Sequence, residues 1–337
     1  MSENNKLLLL AVEEYKKQNY SVAVPMFAEL ADKQNDPKAQ AFLAYCYFQG
    51  LGIEKSFEKA VEYYQKSADL GNESAERNLA VFYEFGKGVG RDIYKAIEIY
   101  SKYIDFYRES AKAGDRFGCN ALGLCYSTGT GVPVDHKRAF EYFSVAAKQG
   151  HLTSINSLGR CYSLGEGVEQ NIVLAFEHYQ RAANGGLAVA QSNLASCYEK
   201  GEGVQKNLEE AIHWYKKAAA QGHLRAQRNL GSIYFEQRMH DKAVFWFTKA
   251  EKQGDARSER MLGFCYELGL GVAKNPKLAF YYYSKSAKKN DRHAYFNAGR
   301  CYEFGIGVGK SLENAKYCYT KAATLGSLKA LKRLKKL

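Results

Sequence analysis

Residues 190–222, AQSNLASCYEKGEGVQKNLEEAIHWYKKAAAQG, carry the apolar pattern of two short helices joined by a glycine loop. In the first, Ala190, Leu194 and Tyr198 recur every fourth residue with Ala195 beside them, which defines one helix face. In the second, Ala211, Trp214, Tyr215, Ala218 and Ala219 fall at i, i+3, i+4, i+7 and i+8, a buried stripe. The alanines let helices approach, and the aromatics fill the space between them. Gly201 stands where a left-handed C-terminal residue is needed, and Gly203 adds a second permissive position. Asn207, with Glu210 three residues later, reads as an N-cap with a capping-box partner.

The same pattern begins at Ala39, Ala75, Gly118, Ser154, Ala190, Ala226, Ser258 and Ala294, and starts again at Ala330. The steps are 36, 43, 36, 36, 36, 32, 36 and 36 residues. A period in this range predicts a helical solenoid. Equivalent caps stand at Ser56, Asp92, Asp135, Asn171, Asn275 and Ser311, and Pro276 follows Asn275 at the favoured first helical position. The expected organisation is one continuous solenoid: a capping hairpin over residues 1–38, eight repeats over 39–329, and a basic capping segment over 330–337.

Two steps depart from the period. The long one falls in KAIEIYSKYIDFYRESAKAG. Seven extra residues are two turns with only ~20° of drift, so one helix lengthened by roughly 10 Å is expected. It carries Tyr103, Phe106 and Tyr107, read either as packing on a neighbour or as a secondary docking knob. The short step has lost the glycine loop, and residues 234–241 read as a tight turn.

Leu158-Gly159-x-x-Tyr162, Gly165-x-Gly167-Val168 and Ala175-x-x-x-Tyr179-x-x-Ala182-Ala183-x-x-Gly186, with their copies, resemble the Sel-1-like repeat, a relative of the tetratricopeptide repeat. The resemblance covers residues 39–329. It implies an all-α fold, a right-handed superhelix of antiparallel helix pairs, and a scaffold or adaptor role without catalysis.

Composition narrows the function. No run of about 18 apolar residues exists, so a membrane span is not expected. Residues 2–5, Ser-Glu-Asn-Asn, lack the basic start of a secretory signal. Six of the eight cysteines, Cys46, Cys125, Cys161, Cys197, Cys265 and Cys301, share a slot filled by Phe82 and Ile233 in the other repeats. That is a packing slot, and equivalent positions roughly 10 Å apart are beyond disulfide reach. A reduced, cytoplasmic protein with inert thiols is expected. The net charge of +12 is read as lysines solvating outer helix faces, as at Lys216-Lys217 and Lys288-Lys289. Nucleic-acid binding through the basic surface is one alternative, and a hydrolase-like activity, as proposed for some secreted relatives of the repeat, is another. An exposed aromatic stripe interleaved with arginine would favour the first. The run 305–311 fails the spacing of a phosphate loop, and the histidines lack zinc spacing, so no metal, cofactor or catalytic site is expected. His151 and His223, after the terminal glycines, read as surface turns.

The resemblance places the first helix of each pair on the concave side. Its exposed positions gather Arg160, Asn193, Arg225, Arg228, Asn229, Arg257, Arg260, Asn297 and Arg300. With Arg77, seven of the fifteen arginines fall on this surface. Planar guanidinium forks bind carboxylates bidentately, so the expected partner of this monomer is an acidic or extended peptide. The competing reading pairs these arginines with Glu199, Glu267 and Glu303 on the same face.

Overall fold

The computed structural model describes residues 3–337, which form twenty α-helices and no strand. The chain divides into two compact units, one ending at Asn171 and one running from Ile172 to Leu337. The first holds a hairpin of α1 (Glu3–Lys16) and α2 (Tyr20–Lys33), then repeat 1, α3 (Pro37–Gln49) and α4 (Phe57–Asp69). Repeat 2 has three helices, α5 (Glu73–Phe85), α6 (Ile93–Lys102) and α7 (Ile104–Lys112). Repeat 3 is α8 (Arg116–Thr128) and α9 (His136–Lys148), and α10 (Leu152–Leu164) opens repeat 4.

The second unit starts with α11 (Ile172–Asn184). Repeat 5 follows as α12 (Ala188–Lys200) and α13 (Leu208–Ala220), and repeat 6 as α14 (Leu224–Glu236) and α15 (His240–Glu251). Repeat 7 is α16 (Ala256–Leu268) and α17 (Pro276–Ala287), and repeat 8 is α18 (Arg292–Phe304) and α19 (Leu312–Thr324). The basic terminal segment forms α20 (Leu328–Leu334). Within each unit the helices stack as antiparallel pairs, an all-α solenoid.

The local chemistry follows the pattern. Ser56, Asp92, Asp135, Asn207, Asn275 and Ser311 each accept a backbone N–H of the first turn of a second helix. The first helices have caps of their own, Asp36, Asn72, Asp115, Asp255 and Asp291. The core is alanine against ring: Tyr64, Phe143, Tyr215, Phe247, Tyr283 and Tyr319 are all but fully buried. Gly263 shows how close the layers lie, since a Cβ there would sit 2.7 Å from the Tyr283 ring.

The second glycine of each loop does more than turn the chain. At Gly203 φ is +73°, and a Cβ would lie 2.2 Å from the carbonyl oxygen of Ile172, the first residue of α11. Gly307 rests in the same way on Pro276 at the start of α17. The loop of one repeat is therefore seated on the first turn of the preceding second helix.

Three expectations are corrected. The lengthened helix of repeat 2 is not one helix. It breaks at Tyr103 (φ −109°, ψ 34°) into α6 and α7. Tyr100 on α6 bonds Glu84 on α5, while α7 packs so tightly on α8 that a Cβ at Gly118 would lie 2.8 Å from Ser110. A lengthened straight helix cannot keep both registers, so the two contacts are divided between two helices. His151 and His223 are not merely turn residues. Each caps a helix through Nδ1, and His151 is buried. The third correction concerns Tyr107, which is buried and unavailable for docking.

Candidate interaction surfaces

On the first-helix face of the second unit, α14 contributes Arg225, Arg228 and Asn229, and α16 contributes Arg257 and Arg260. The i, i+3 spacing sets each arginine pair on one face. Most of the predicted cluster is already partnered. Arg228 Nη1 lies 3.2 Å from Asp255, and Arg260 Nε lies 3.2 Å from Asp291. Both carboxylates are N-caps one repeat further on, so each aspartate caps its own helix and binds the previous repeat. Arg300 reaches back to Glu267 at 2.9 Å, and Arg333 to Glu303. Asn229 donates to the Tyr215 hydroxyl at 2.8 Å, which itself donates to Glu199 at 2.7 Å. Asn193 and Asn297 are half-buried on the same face. Arg225 and Arg257 are exposed, and neither makes an ion pair among the described residues.

The glutamates that sequence reasoning placed as counter-ions hold tyrosines first. Glu199, Glu267 and Glu303 accept the hydroxyls of Tyr215, Tyr283 and Tyr319 at 2.6–2.7 Å. Burial and the adjacent carboxylate push these phenols well above their ordinary range, so they remain donors. The signal in the sequence was partial: Phe247 is matched by Phe235 on the first helix, but Tyr64 and Tyr179 are matched by Phe48 and Ser163, so a ring hydroxyl alone does not announce the carboxylate.

In the first unit, Arg160 on α10 lies 3.3 Å from Glu166 and faces no cluster. A cleft of about 420 Å³ opens between α1, α3, α4 and α5, lined by Tyr15, Lys38, Phe42, Tyr45, Tyr64 and Asn78. The repeat 2 aromatics are partly roofed. Tyr103 donates to Glu76 at 2.7 Å, and the Arg77 guanidinium sits 4.2 Å over Phe106. Of the three residues of the docking knob, Phe106 alone remains exposed.

A buried polar network lies behind them. Glu84 is fully buried, with Tyr100 Oη at 2.5 Å and Asn120 Nδ2 at 3.2 Å. Ser154 donates to Asn120 Oδ1 at 2.8 Å and lies 3.2 Å from His151 Nδ1. His151 Nε2 points at Glu84 from 3.9 Å, without a hydrogen bond. No lysine or arginine forms a direct ion pair with Glu84 among the described residues, whereas buried Glu259 has Lys285 and Lys289. Burial lowers the His151 pKa; Glu84 raises it and Arg116 lowers it by smaller amounts.

Comparison with known proteins fixes the family. The Sel1 repeat is matched eight times, at residues 37–72, 73–102, 117–151, 153–187, 188–223, 224–255, 256–291 and 292–327. The chain belongs to the Sel1 repeat family. The second match stops at Lys102, where α6 ends, leaving α7 outside the repeat. Among solved structures, a protective antigen of uropathogenic Escherichia coli strains displaying an SLR fold is 29% identical over 99% of this chain and 80% of its own, with a TM-score of 0.67. A Sel1 repeat protein from Oxalobacter formigenes, 24% identical, covers 100% of this chain and 94% of its own at a TM-score of 0.60, a likeness of fold. A curated relative, DAP3-binding cell death enhancer 1 of Rattus norvegicus, is 42% identical over 50 residues, 15% of this chain and 10% of its own length.

Among the described residues of these Sel1 repeats, no group of three or more His, Cys, Asp or Glu is placed to hold a metal ion. No described helix is long and apolar enough to cross a membrane. All eight cysteines are buried and unpaired. Burial pushes Cys46, Cys161, Cys197 and Cys265 up to about 11 and Cys125 and Cys301 to about 12. Iodoacetamide at pH 8 is therefore expected to leave the native protein unmodified and to label all eight thiols once denaturant is added. Rapid labelling of the periodic cysteines in the native protein, read by intact mass, would contradict the packing-slot assignment.

Proposed function

We propose that the protein is a non-catalytic scaffold that holds an acidic, extended segment of a partner protein on the first-helix face of its second unit. Sel1 and related repeat solenoids are typical of protein-interaction scaffolds. The observation that carries the reading is the pair Arg225 and Arg257. They occupy one template position in consecutive repeats, stand three residues before Arg228 and Arg260, and lack the internal carboxylates those two have. Planar, weakly hydrated guanidinium groups on an ordered helix face suit a peptide carboxylate. Eight buried, unpaired thiols support a reducing compartment.

The test follows from the pairing. Reversing Arg228 or Arg260 would break contacts between repeats and confuse binding with stability. Arg225→Glu/Arg257→Glu leaves those contacts in place. Affinity purification with the double variant is expected to lose an acidic partner that the wild type retains, at least tenfold in affinity for two charge-assisted contacts of about 1.5–3 kcal/mol each. The helical circular-dichroism signal should be unchanged. Equal recovery of every partner by both proteins would sink the assignment.

A further inference from the structure

One template position changes character along the chain. It lies two residues before the buried aromatic of each second helix, on the outward side. In the first four repeats it holds Glu62, Glu98, Glu141 and Glu177. In the last four it holds His213, Phe245, Tyr281 and Tyr317, all exposed; Phe245, Tyr281 and Tyr317 keep 53%, 53% and 58% of their surface in solvent. Four residues further along each helix stands a lysine: Lys217, Lys249, Lys285 and Lys321. Among the earlier repeats, repeat 1 uses the i, i+4 relation for a surface ion pair, Glu62–Lys66 at 2.8 Å. The later ones set an ammonium beside a ring.

The geometry is consistent across the second unit. Lys217 lies 4.3 Å from the Trp214 ring, Lys249 5.6 Å from Phe245, and Lys321 5.7 Å from Tyr317. Behind three of the exposed rings stands a second ring, edge-on: Trp214 at 5.5 Å from His213, Trp246 at 5.0 Å from Phe245, and Tyr282 at 5.2 Å from Tyr281. That support orients the outer ring. Lys285 is the exception, because it turns toward Glu251 and Glu259. The hydroxyls of Tyr281 and Tyr317 have no hydrogen-bond partner among the described residues. Of the acids of these helices, Glu209, Glu210, Asp241 and Glu313 sit in the first turn, and Glu251, the last residue of α15, is paired with Lys285; Lys216, Lys217, Lys249, Lys285 and Lys321 stand in the C-terminal half. One side of the ring stripe is therefore basic.

We propose that this ring-and-lysine stripe on α13, α15, α17 and α19 is a binding platform for single-stranded nucleic acid. The ligand is a polyanion with a planar ring on every unit, which matches a row of exposed rings flanked by ammonium groups. The ring recurs at one template position in four successive second helices, so the platform presents one ring per repeat. An acidic peptide uses the lysines and leaves the rings idle. An anionic membrane meets the first-turn acids as well as the lysines, whereas a strand lying along the C-terminal half avoids them. The glutamates of the first four repeats confine the platform to the last four. Stacking is indifferent to base identity, so the specificity is for an unpaired strand.

The experiment is fluorescence anisotropy with the full chain, using labelled oligouridylate and oligodeoxythymidylate across a salt series. Wild type is expected to bind with affinity falling linearly in log salt. Phe245→Ala/Tyr281→Ala/Tyr317→Ala should weaken binding by at least about tenfold, at ~1–3 kcal/mol per stacked base, while the salt slope holds. Tyr281→Phe/Tyr317→Phe, which keeps the rings, should bind as wild type. Lys217→Gln/Lys249→Gln/Lys321→Gln should flatten the slope, by about 0.7 for each phosphate no longer neutralised. Arg225→Glu/Arg257→Glu should leave binding intact, which separates this platform from the peptide face. The proposal is overturned if neither oligonucleotide binds, or if the ring-free variant binds as tightly as wild type. It is also overturned if the ring variants lose only phosphatidylserine vesicles or polyglutamate.

Discussion

Gly203→Ala is expected to destabilise the second unit by about 2–5 kcal/mol, the sum of a left-handed backbone penalty and overpacking. The added Cβ would meet the Ile172 carbonyl oxygen at 2.2 Å and Phe176 Cβ at 3.0 Å. Neither is the loose end of a flexible side chain, so the loop must lift from α11. Two controls isolate the cause. Gly222 has φ +81° with nothing within 4 Å, and Gly201 has φ +79° with its nearest neighbour at 3.4 Å. Alanine at those positions incurs the backbone penalty alone, about 1–2 kcal/mol. Both tryptophans, Trp214 and Trp246, lie in this unit, so intrinsic fluorescence during urea unfolding reports it directly. If Gly203→Ala unfolds at the same urea concentration as Gly222→Ala, the loop is not seated as described.

The second large effect belongs to the first unit. Glu84→Ala removes the acceptor of Tyr100 and Asn120, both buried, and is expected to cost at least about 3 kcal/mol. Circular dichroism should lose amplitude at lower urea while the tryptophan transition of the second unit stays in place. Coincident shifts of both signals would mean the network does not act locally. The same cluster sets a pH dependence. Burial depresses the His151 pKa below its ordinary 6.5, against the opposing charges of Glu84 and Asp115 and with help from Arg116. The folded protein keeps His151 neutral while the unfolded chain takes up a proton. Stability is therefore full above pH 6.5 and falls as pH drops from there toward the folded pKa. His151→Asn keeps a cap acceptor and removes the titration. Its urea midpoint should vary less between about pH 7 and pH 5 than that of wild type.

The repeat was legible because its signals agree at several levels. Period, cap, glycine and ring all marked the same boundaries, and Asp92, Asp135 and Ser311 cap as expected. The cysteine slot was legible because Phe82 and Ile233 also occupy it. What escaped were interactions between repeats. Asp255 and Asp291 look like ordinary caps, and nothing in their local sequence announces Arg228 and Arg260, 27 and 31 residues earlier. Glu84 shares its template position with Glu199 and Glu267, yet α8 and the cap of α10 close over it and bury it. The break at Tyr103 escaped because periodicity tests one face at a time, and this helix has two faces to serve. The outward ring stripe was hidden by the abundance of tyrosines in the core.

The break at Tyr103 also changes how distance along the chain must be measured. In the other repeats that carry a glycine loop, its second glycine rests on the first residue of the preceding second helix. In repeat 3, Gly131 rests on Ser101, the penultimate residue of α6. The stack thus behaves as a ruler graduated in seated loops, not in residues. The graduation of 43 residues has a seated loop on either side, Gly88 on Phe57 and Gly131 on Ser101, and after the graduation of 32 Gly271 is seated on His240. Equivalent positions across Ser101 cannot be found by adding 36. They are found by asking which helix turn each loop touches, and a partner's footprint should be mapped in those graduations.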